Sequence, residues 1–137
     1  MKIIDFEPEH LALIRPQIQQ SEVVLDDNYA SIISTGRCFT GMSEGKVVVI
    51  GGLVPVTDNR VYLHMIVADG IPHQWLSIYR AARRIIDGLP GHVWRIEALS
   101  TFPEADRWHE MLGFECEGLL KRVMPDGRDA KSYSIVR

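Results

Sequence analysis

Five histidines are the side chains of this sequence best suited to moving protons near neutral pH, because an unperturbed imidazole has a pKa of about 6.5. None of them is spaced i,i+4 from another histidine or lies near a Cys-X-X-Cys pair, which are the usual spacings of zinc ligands, so we predict no metal site. The sequence also lacks nucleophile motifs such as Gly-X-Ser-X-Gly, Walker loops and dinucleotide-binding fingerprints. The sequence therefore favours acid–base chemistry. The histidines that could carry it out are His10, His64, His73, His92 and His109.

Composition limits the partners of this chain. Its 137 residues are 46% hydrophobic, which is enough for one domain to bury a core without disulfides or metals. Fifteen basic residues against eighteen acidic ones leave a net charge of −3, so no global field favours nucleic acid or an anionic membrane. We predict a single domain over residues 1–137 that binds neither.

The cysteines and the N-terminus predict a cytoplasmic protein. Cys38 and Cys116 lie far apart without Cys-X-X-Cys spacing, which is typical of buried, reduced thiols. Asp5, Glu7 and Glu9 interrupt the first residues, so the apolar core of a signal peptide is missing. No apolar run approaches the roughly 20 residues that span a bilayer.

Hydrophobic spacing predicts a strand over residues 2–6 and then a helix that begins at Pro8 and is shortened or bent by Pro16. Asp26 and Asp27 can cap a second short helix that ends near Gly36. The first helix has one apolar face, made of Leu11, Ile14 and Ile18.

An antiparallel meander of three strands follows over residues 37–42, 46–54 and 60–67. From Pro72 the apolar spacing becomes helical, and a further strand covers 92–99. A strand, a helix of about 15 residues and another strand form a crossover, so 61–67 and 92–99 should be adjacent and parallel. The apolar residues of the crossover helix are Trp75, Ile78, Tyr79, Ala82, Ile85 and Ile86.

A last helix is predicted by its start and its end. Thr101 and Glu104 have capping-box spacing, and Pro103 fits the first turn. Gly113 suits the positive φ found just past a helix end, and Phe114 can pack back under the last turn. The apolar stripe of this helix is Ala105, Trp108, Met111 and Leu112.

The stretch Arg107-Trp-His-Glu-Met-Leu-Gly-Phe114, followed by Glu115-Cys-Glu-Gly118, resembles the C-terminal signature of the GCN5-related N-acetyltransferase (GNAT) superfamily. The order of predicted elements matches the GNAT arrangement over nearly the whole chain. This resemblance implies an α/β (α+β) fold, with a single mixed, mostly antiparallel sheet, a central parallel strand pair and flanking helices. It also implies transfer of an acetyl group from acetyl-CoA to a small-molecule or protein amine.

The resemblance further implies where acetyl-CoA would bind. Backbone groups of Met65, Ile66 and Val67 would pair with the pantetheine arm, and the N-terminus of the crossover helix would hold the pyrophosphate. The turn before that helix departs from the glycine-rich family pattern, since only Gly70 is glycine and Asp69 adds negative charge. Anion binding would then depend on the amides of His73, Gln74 and Trp75 and on Arg80, Arg83 and Arg84, unless these arginines form a solvated polar face.

Catalytic candidates also follow from the resemblance. Many family members carry a tyrosine four residues before the signature glycine, where it protonates the departing thiolate, and His109 stands at that position here. His64 and Glu97, on the two parallel strands, are the candidate bases. Each of these three residues also fits a structural or solvated role.

A second hypothesis is non-catalytic. The segments Ile71-Pro-His-Gln-Trp-Leu76 and Met124-Pro-Asp-Gly-Arg-Asp129 also resemble compact GNAT-like proteins encoded by bacteriophages, some of them similar to a virion internal protein. Such an interaction module would have a degenerate coenzyme A site and virion partners, and would occur in the host cytoplasm or the virion. Two last strands are predicted on either side of the turn Met124-Pro-Asp-Gly-Arg128, and these exposed terminal strands can also pair across a homodimer.

Overall fold

The computed structural model describes residues 1–21 and 23–137, with Pro72 described in its backbone alone. The α-helices are α1 (Asp27–Ile33), α2 (Trp75–Asp87) and α3 (Pro103–Met111). The strands are β1 (Lys2–Asp5), β2 (Arg37–Ser43), β3 (Lys46–Thr57), β4 (Arg60–Val67), β5 (Arg95–Ser100), β6 (Glu115–Leu120) and β7 (Ala130–Val136).

The strands form one mixed sheet in the order β1-β2-β3-β4-β5-β7-β6. Strands β4 and β5 pair in parallel near the middle of this order, and Arg60, Val61 and Tyr62 lie opposite Arg95, Ile96 and Glu97. Antiparallel ladders join β1 to β2, β2 to β3, β5 to β7 and β6 to β7. The predicted fold class and the predicted parallel neighbours are confirmed.

Contacts within the chain define two compact units. Unit 1 comprises Met1–Pro55 and Leu63–Gly88, and unit 2 comprises Val56–Tyr62 and Leu89–Arg137. The expectation of a single domain over 1–137 stays a prediction. Along residues 1–21 and 23–137, no helix is both long enough and apolar enough to cross a bilayer.

Unit 1 is built around strand β3. Residues Val47–Ile50 are all buried, so both faces of this strand are covered. Helix α1 begins where the Asp26 carboxylate accepts a hydrogen bond from the Tyr29 amide at 2.9 Å, which confirms the predicted cap. The core of the unit comprises Leu11, Ile14, Ala30, Ile33, Val47, Ile50, Ile66 and Ala68.

The predicted first helix is wrong in its length and in its apolar face. The structure has a 3-10 turn over Pro8–Ala12 and another over Ile18–Gln20, and the Ile18 side chain is 77% exposed. Pro16 explains the break, because proline lacks the amide that an α-helix needs and its ring disfavours the helical region for the residue before it. Pro16 instead forms an isolated antiparallel bridge with Ala68.

Unit 2 packs α3 with β5 and β7. Helix α3 begins at Pro103 and its N-cap is Phe102, so the capping box predicted from Thr101 is wrong. Its end agrees with prediction, since Gly113 has φ +94° and the Phe114 side chain is buried. Strand β6 lies at the sheet edge with every residue exposed.

Two other burial predictions fail in unit 2. Met111 is 63% exposed, because one residue of a helix turns about 100° and so places Met111 well away from the fully buried Leu112. His109 takes the buried position instead. Cys116 is an exposed free thiol on β6, whereas Cys38 is half-buried and burial raises its pKa to about 11.

Candidate functional site

The second half of β4 presents a row of backbone groups that other residues of unit 1 engage. Alternate residues of a strand direct their amides and carbonyls to the same edge. The Ala68 amide donates to the Val48 carbonyl of β3 at 2.9 Å, so Met65 and Val67 face the edge opposite β3. The side chain of Ile66 is buried in the core of unit 1.

On that opposite edge, the carboxamide of Gln20 forms a two-point contact. Its Nε2 donates to the Met65 carbonyl at 2.8 Å, and its Oε1 accepts from the Val67 amide at 2.9 Å. The Gln17 amide also donates to the Val67 carbonyl at 2.8 Å. The predicted pantetheine-binding groups of Met65 and Val67 therefore bind an amide of the protein itself.

The N-terminus of α2 is preceded by a 3-10 turn, Pro72–Gln74, that follows Gly70 at φ +69°. The Gln74 amide donates to the Ile71 carbonyl at 3.1 Å, and its side chain donates to Ser43 Oγ at 3.0 Å. His73 is exposed and Trp75 is half-buried. Part of the predicted anion site is thus already committed to local hydrogen bonds.

The predicted arginines of α2 differ in their surroundings. Arg80 and Arg84 are exposed, and Arg83 forms an i,i+4 ion pair with Asp87 at 2.6 Å. The apolar stripe of the helix contacts the interior through Ile78, Ala82 and Ile86. Arg80 therefore lies on the solvated face, from which a long side chain can reach an anion.

His64 has both ring nitrogens buried, and neither has a hydrogen-bond partner among the described residues of the chain. Burial lowers its pKa to about 4, so the imidazole is neutral at pH 7. A buried polar atom without a partner costs about 1–3 kcal/mol and is uncommon in folded proteins. Among the described residues of unit 1, His64 is the one with buried side-chain nitrogens that lack a hydrogen-bond partner.

His109 lies in unit 2 between two aromatic rings. Its ring centroid is 5.5 Å from that of Phe114 and 5.3 Å from that of Tyr133, and its Nδ1 is buried without a partner within the described residues. Burial lowers its pKa to about 4, although the charge of Asp106 opposes the shift. The neutral form therefore dominates at pH 7.

Glu97 belongs to a network of ion pairs in unit 2. Arg60 binds both carboxylate oxygens, at 2.5 and 2.9 Å, and Arg95 Nε binds Oε1 at 2.6 Å. Arg95 also pairs with Glu117. The hydrogen bond from Arg60 is the main cause that holds the pKa of Glu97 below its usual range.

The structure adds two residues to the candidates, Gln20 and Tyr62. Gln20 had no motif, and only its tertiary position brings its side chain to β4. The pKa of Tyr62 is raised, first by burial, although a hydrogen bond with the Leu99 backbone opposes the shift. Tyr62 is the last residue of β4 in the parallel ladder, and a tyrosine in a strand carries no motif that marks it as a candidate.

The candidates predicted from sequence divide between the two units. His109 and Glu97 lie in unit 2, and the others lie in unit 1. Within unit 1, consecutive positions on β4 carry both the unpartnered His64 imidazole and the amide-binding groups of Met65 and Val67. This stretch is the candidate site that the structure supports with contacts.

No protein-family model matches the sequence, and no match was found among curated protein sequences. Solved structures do match. A chimera of the spermidine N-acetyltransferase SpeG from Vibrio cholerae and hSSAT has a TM-score of 0.70 at 20% identity, over 99% of this chain and 96% of that chain. An aminoglycoside 6'-acetyltransferase type Ii has a TM-score of 0.73 at 14% identity, over 99% and 97%.

Ard1 from Thermoplasma volcanium is also similar, with a TM-score of 0.68 at 13% identity over 98% of this chain and 96% of that chain. Agreement over nearly the full length of both chains shows that this protein has the fold of the GNAT N-acetyltransferases. At these identities the likeness concerns the fold, so activity has to be argued from the site.

Proposed function

We propose that this protein is an N-acetyltransferase whose substrates are acetyl-CoA and an amine. The observation that carries the proposal is the pair formed by the Met65 carbonyl and the Val67 amide, which bind a carboxamide at 2.8 and 2.9 Å. An amide of the pantetheine arm has the same donor and acceptor, so it fits these groups as an added strand would. The fold shared with named acetyltransferases supports the same activity.

The pyrophosphate is expected to bind weakly. A helix N-terminus contributes about 0.3–1 kcal/mol at the surface and up to about 2 when partly buried, whereas micromolar affinity needs about 8 kcal/mol. The Gln74 amide is already bonded to the Ile71 carbonyl, and Asp69 adds negative charge to the turn. We therefore assign most of the affinity for acetyl-CoA to the β4 edge, with Arg80 and the amides of His73 and Trp75 as minor contributors.

Acetyl-CoA supplies an activated acyl group in the form of a thioester. The residue proposed to take the proton of the attacking amine is His64, because a neutral imidazole with unpartnered nitrogens can accept one. Its pKa of about 4 keeps it unprotonated over the whole neutral range but also makes it a weaker base than an ordinary imidazole, so the proposal depends on its position and its unpartnered nitrogens. The backbone of Met65 and Val67 would hold the coenzyme next to it on the same strand.

His109 is proposed as the proton donor to the departing thiolate. Its cation is a stronger acid than an ordinary imidazolium, but burial makes that cation scarce at pH 7, so we expect a smaller contribution to catalysis than that of His64. Glu97 is the alternative base to His64, but Arg60 and Arg95 already bind its carboxylate. A base must give up such contacts before it can accept a proton.

The non-catalytic hypothesis, a GNAT-fold interaction module of phage origin, rests on the turn over residues 69–75. Its departure from a glycine-rich sequence is consistent with a lost coenzyme site. The acetyltransferase names of the similar structures favour the catalytic hypothesis instead. Phage origin, virion partners, a homodimer and a cytoplasmic location stay predictions.

Release of free coenzyme A tests the proposal directly. The purified protein is incubated with acetyl-CoA and a panel of amines that includes spermidine and an aminoglycoside, and the thiol is followed with a chromogenic reagent. We expect amine-dependent thiol release with at least one acceptor, and binding of acetyl-CoA in a calorimetric titration. Absence of both, at millimolar acetyl-CoA, would overturn the proposal in favour of the interaction module.

A further inference from the structure

The segment Arg15–Gln20, which we call the strap, runs along the β4 edge in an antiparallel sense. The Asp69 amide donates to the Arg15 carbonyl and the Gln17 amide donates to the Val67 carbonyl, both at 2.8 Å. Pro16 bridges to Ala68 between these two bonds. The strap therefore adds backbone pairing to an edge that a ligand would otherwise use.

The last residue of the strap completes the contact with its side chain. Gln20 Nε2 and Oε1 bind the Met65 carbonyl and the Val67 amide, and Gln17 Nε2 supports the carboxamide by donating to Oε1 at 3.1 Å. A carboxamide is a donor and an acceptor held in one plane, which is the arrangement that an amide of a ligand would present. Gln20 and such a ligand cannot bind these two groups together.

The strap is attached mainly by these polar contacts. Ile14, just before it, is buried in the core, but no side chain from Arg15 to Gln20 is fully buried, and Ile18 is 77% exposed. Release of the strap would therefore expose little apolar surface. Hydrogen bonds that water can replace have a modest net strength, so displacement by a competing ligand is feasible.

We infer that the strap is an autoinhibitory element, in which Gln20 occupies the amide-binding groups of β4 and has to leave before acetyl-CoA binds. This inference rests on the proposed function. It also supplies a second cause of weak coenzyme binding, because the apparent affinity falls with the fraction of protein whose site is open.

The test compares the wild type with Gln20→Ala and with the matched control Gln19→Ala, whose side chain is exposed in the same strap. Gln20→Ala removes both side-chain contacts with β4. We expect its Kd for acetyl-CoA to fall about tenfold, which corresponds to about 1.4 kcal/mol, while Gln19→Ala binds as the wild type does. Hydrogen exchange should show faster exchange of the Val67 amide in Gln20→Ala, with the Ala68 amide, bonded to β3, unchanged.

The possible outcomes test the autoinhibitory role of the strap and the proposed acetyltransferase function separately. Binding of acetyl-CoA by the wild type with the same Kd in Gln20→Ala would overturn the strap and leave the acetyltransferase proposal in place. Binding by Gln20→Ala alone would support the strap in its strongest form. Absence of binding by all three proteins, with catalysis also absent, would overturn the proposed function and the autoinhibitory role with it.

Discussion

Two regions of the molecule, the His64–Val67 stretch of unit 1 and the ion-pair network around Glu97 in unit 2, satisfy their polar groups in different ways. In the first region, the ring of His64 has no partner within the described chain, and the backbone of Met65 and Val67 is bound by the side chain of Gln20. In unit 2, Glu97 is held by two guanidinium groups, and Asp106 binds Lys131 at 2.7 Å and Ser100 at 2.5 Å. Polar groups without a partner are available for chemistry, whereas the carboxylates of Glu97 and Asp106 are already bound. His109 is the exception in unit 2, because its Nδ1 has no partner within the described residues.

The largest expected effect follows from His64. If it is the general base, His64→Gln should lower kcat by about 10²–10⁴-fold, the usual contribution of acid–base catalysis, and leave the Kd for acetyl-CoA almost unchanged. Steady-state kinetics and calorimetry measure the two quantities. The control is His92→Gln, at an exposed histidine. An unchanged kcat in His64→Gln would show that His64 is not the base, although its ring nitrogens have no partner within the described chain.

His109 predicts a pH dependence of stability. Folding keeps this imidazole neutral, so between pH 6.5 and 4 the unfolded chain binds more protons than the folded one. The neutral His109 therefore contributes about 3 kcal/mol to the free energy of unfolding above pH 6.5, and this contribution is lost as the pH falls toward 4. His109→Phe should make the decline in unfolding free energy over this range shallower by about that amount, as measured by urea denaturation.

The variant His109→Phe also distinguishes a structural role of His109 from a catalytic one. Phenylalanine keeps the contacts with Phe114 and Tyr133 but cannot transfer a proton. We expect kcat to fall more than the affinity for acetyl-CoA if His109 donates to the thiolate. An active His109→Phe enzyme with the shallower pH profile would assign this residue to stability alone.

Glu97 should matter less for rate. Glu97→Gln weakens the ion pairs with Arg60 and Arg95, and we expect a loss of about 1 kcal/mol of unfolding free energy, since Arg60 is half-exposed and solvent screens the pairs. The kcat should stay within about threefold of the wild type, because ion pairs of this kind are structural. A decrease in kcat comparable to that of His64→Gln would show that unit 2 carries the base.

The smallest effect is expected at Arg80. Arg80→Ala should raise the Kd for acetyl-CoA by no more than about fivefold, because a solvated charge near a helix N-terminus contributes about 1 kcal/mol or less. Calorimetry at low and high salt would show whether the difference is screened. Arg107→Ala is the matched control, at an exposed arginine of α3. A larger loss would mean that the α2 terminus is a stronger anion site than its hydrogen bonds indicate.

Sequence reasoning succeeded where local chemistry decides the structure. The N-cap of α1, the positive φ of Gly113 and the crossover from β4 to β5 all follow from residue types at short spacing. Two local predictions in α3 are wrong. The N-cap is Phe102 rather than Thr101, and His109 rather than Met111 has the buried side chain, because each residue of a helix turns about 100°.

The candidate site shows the same division. Met65 and Val67 were implied by the resemblance, which assigns the pantetheine arm to the backbone of the strand before the crossover helix. Gln20 was not predictable, since a glutamine in a polar segment has no motif that connects it to a strand 45 residues later. Pro16 allowed the connection, because it stopped the helix that would have carried Gln20 elsewhere.

The order of most elements and the parallel pairing of β4 with β5 follow from the sequence alone, because hydrophobic period and turn residues act over a few positions. The likeness to acetyltransferases was implied by the resemblance of residues 107–118 to a family signature. Which polar groups remain available depends on tertiary contacts, such as those of Gln20 with Val67 and of Arg60 with Glu97, because packing brings these residues together from distant parts of the chain.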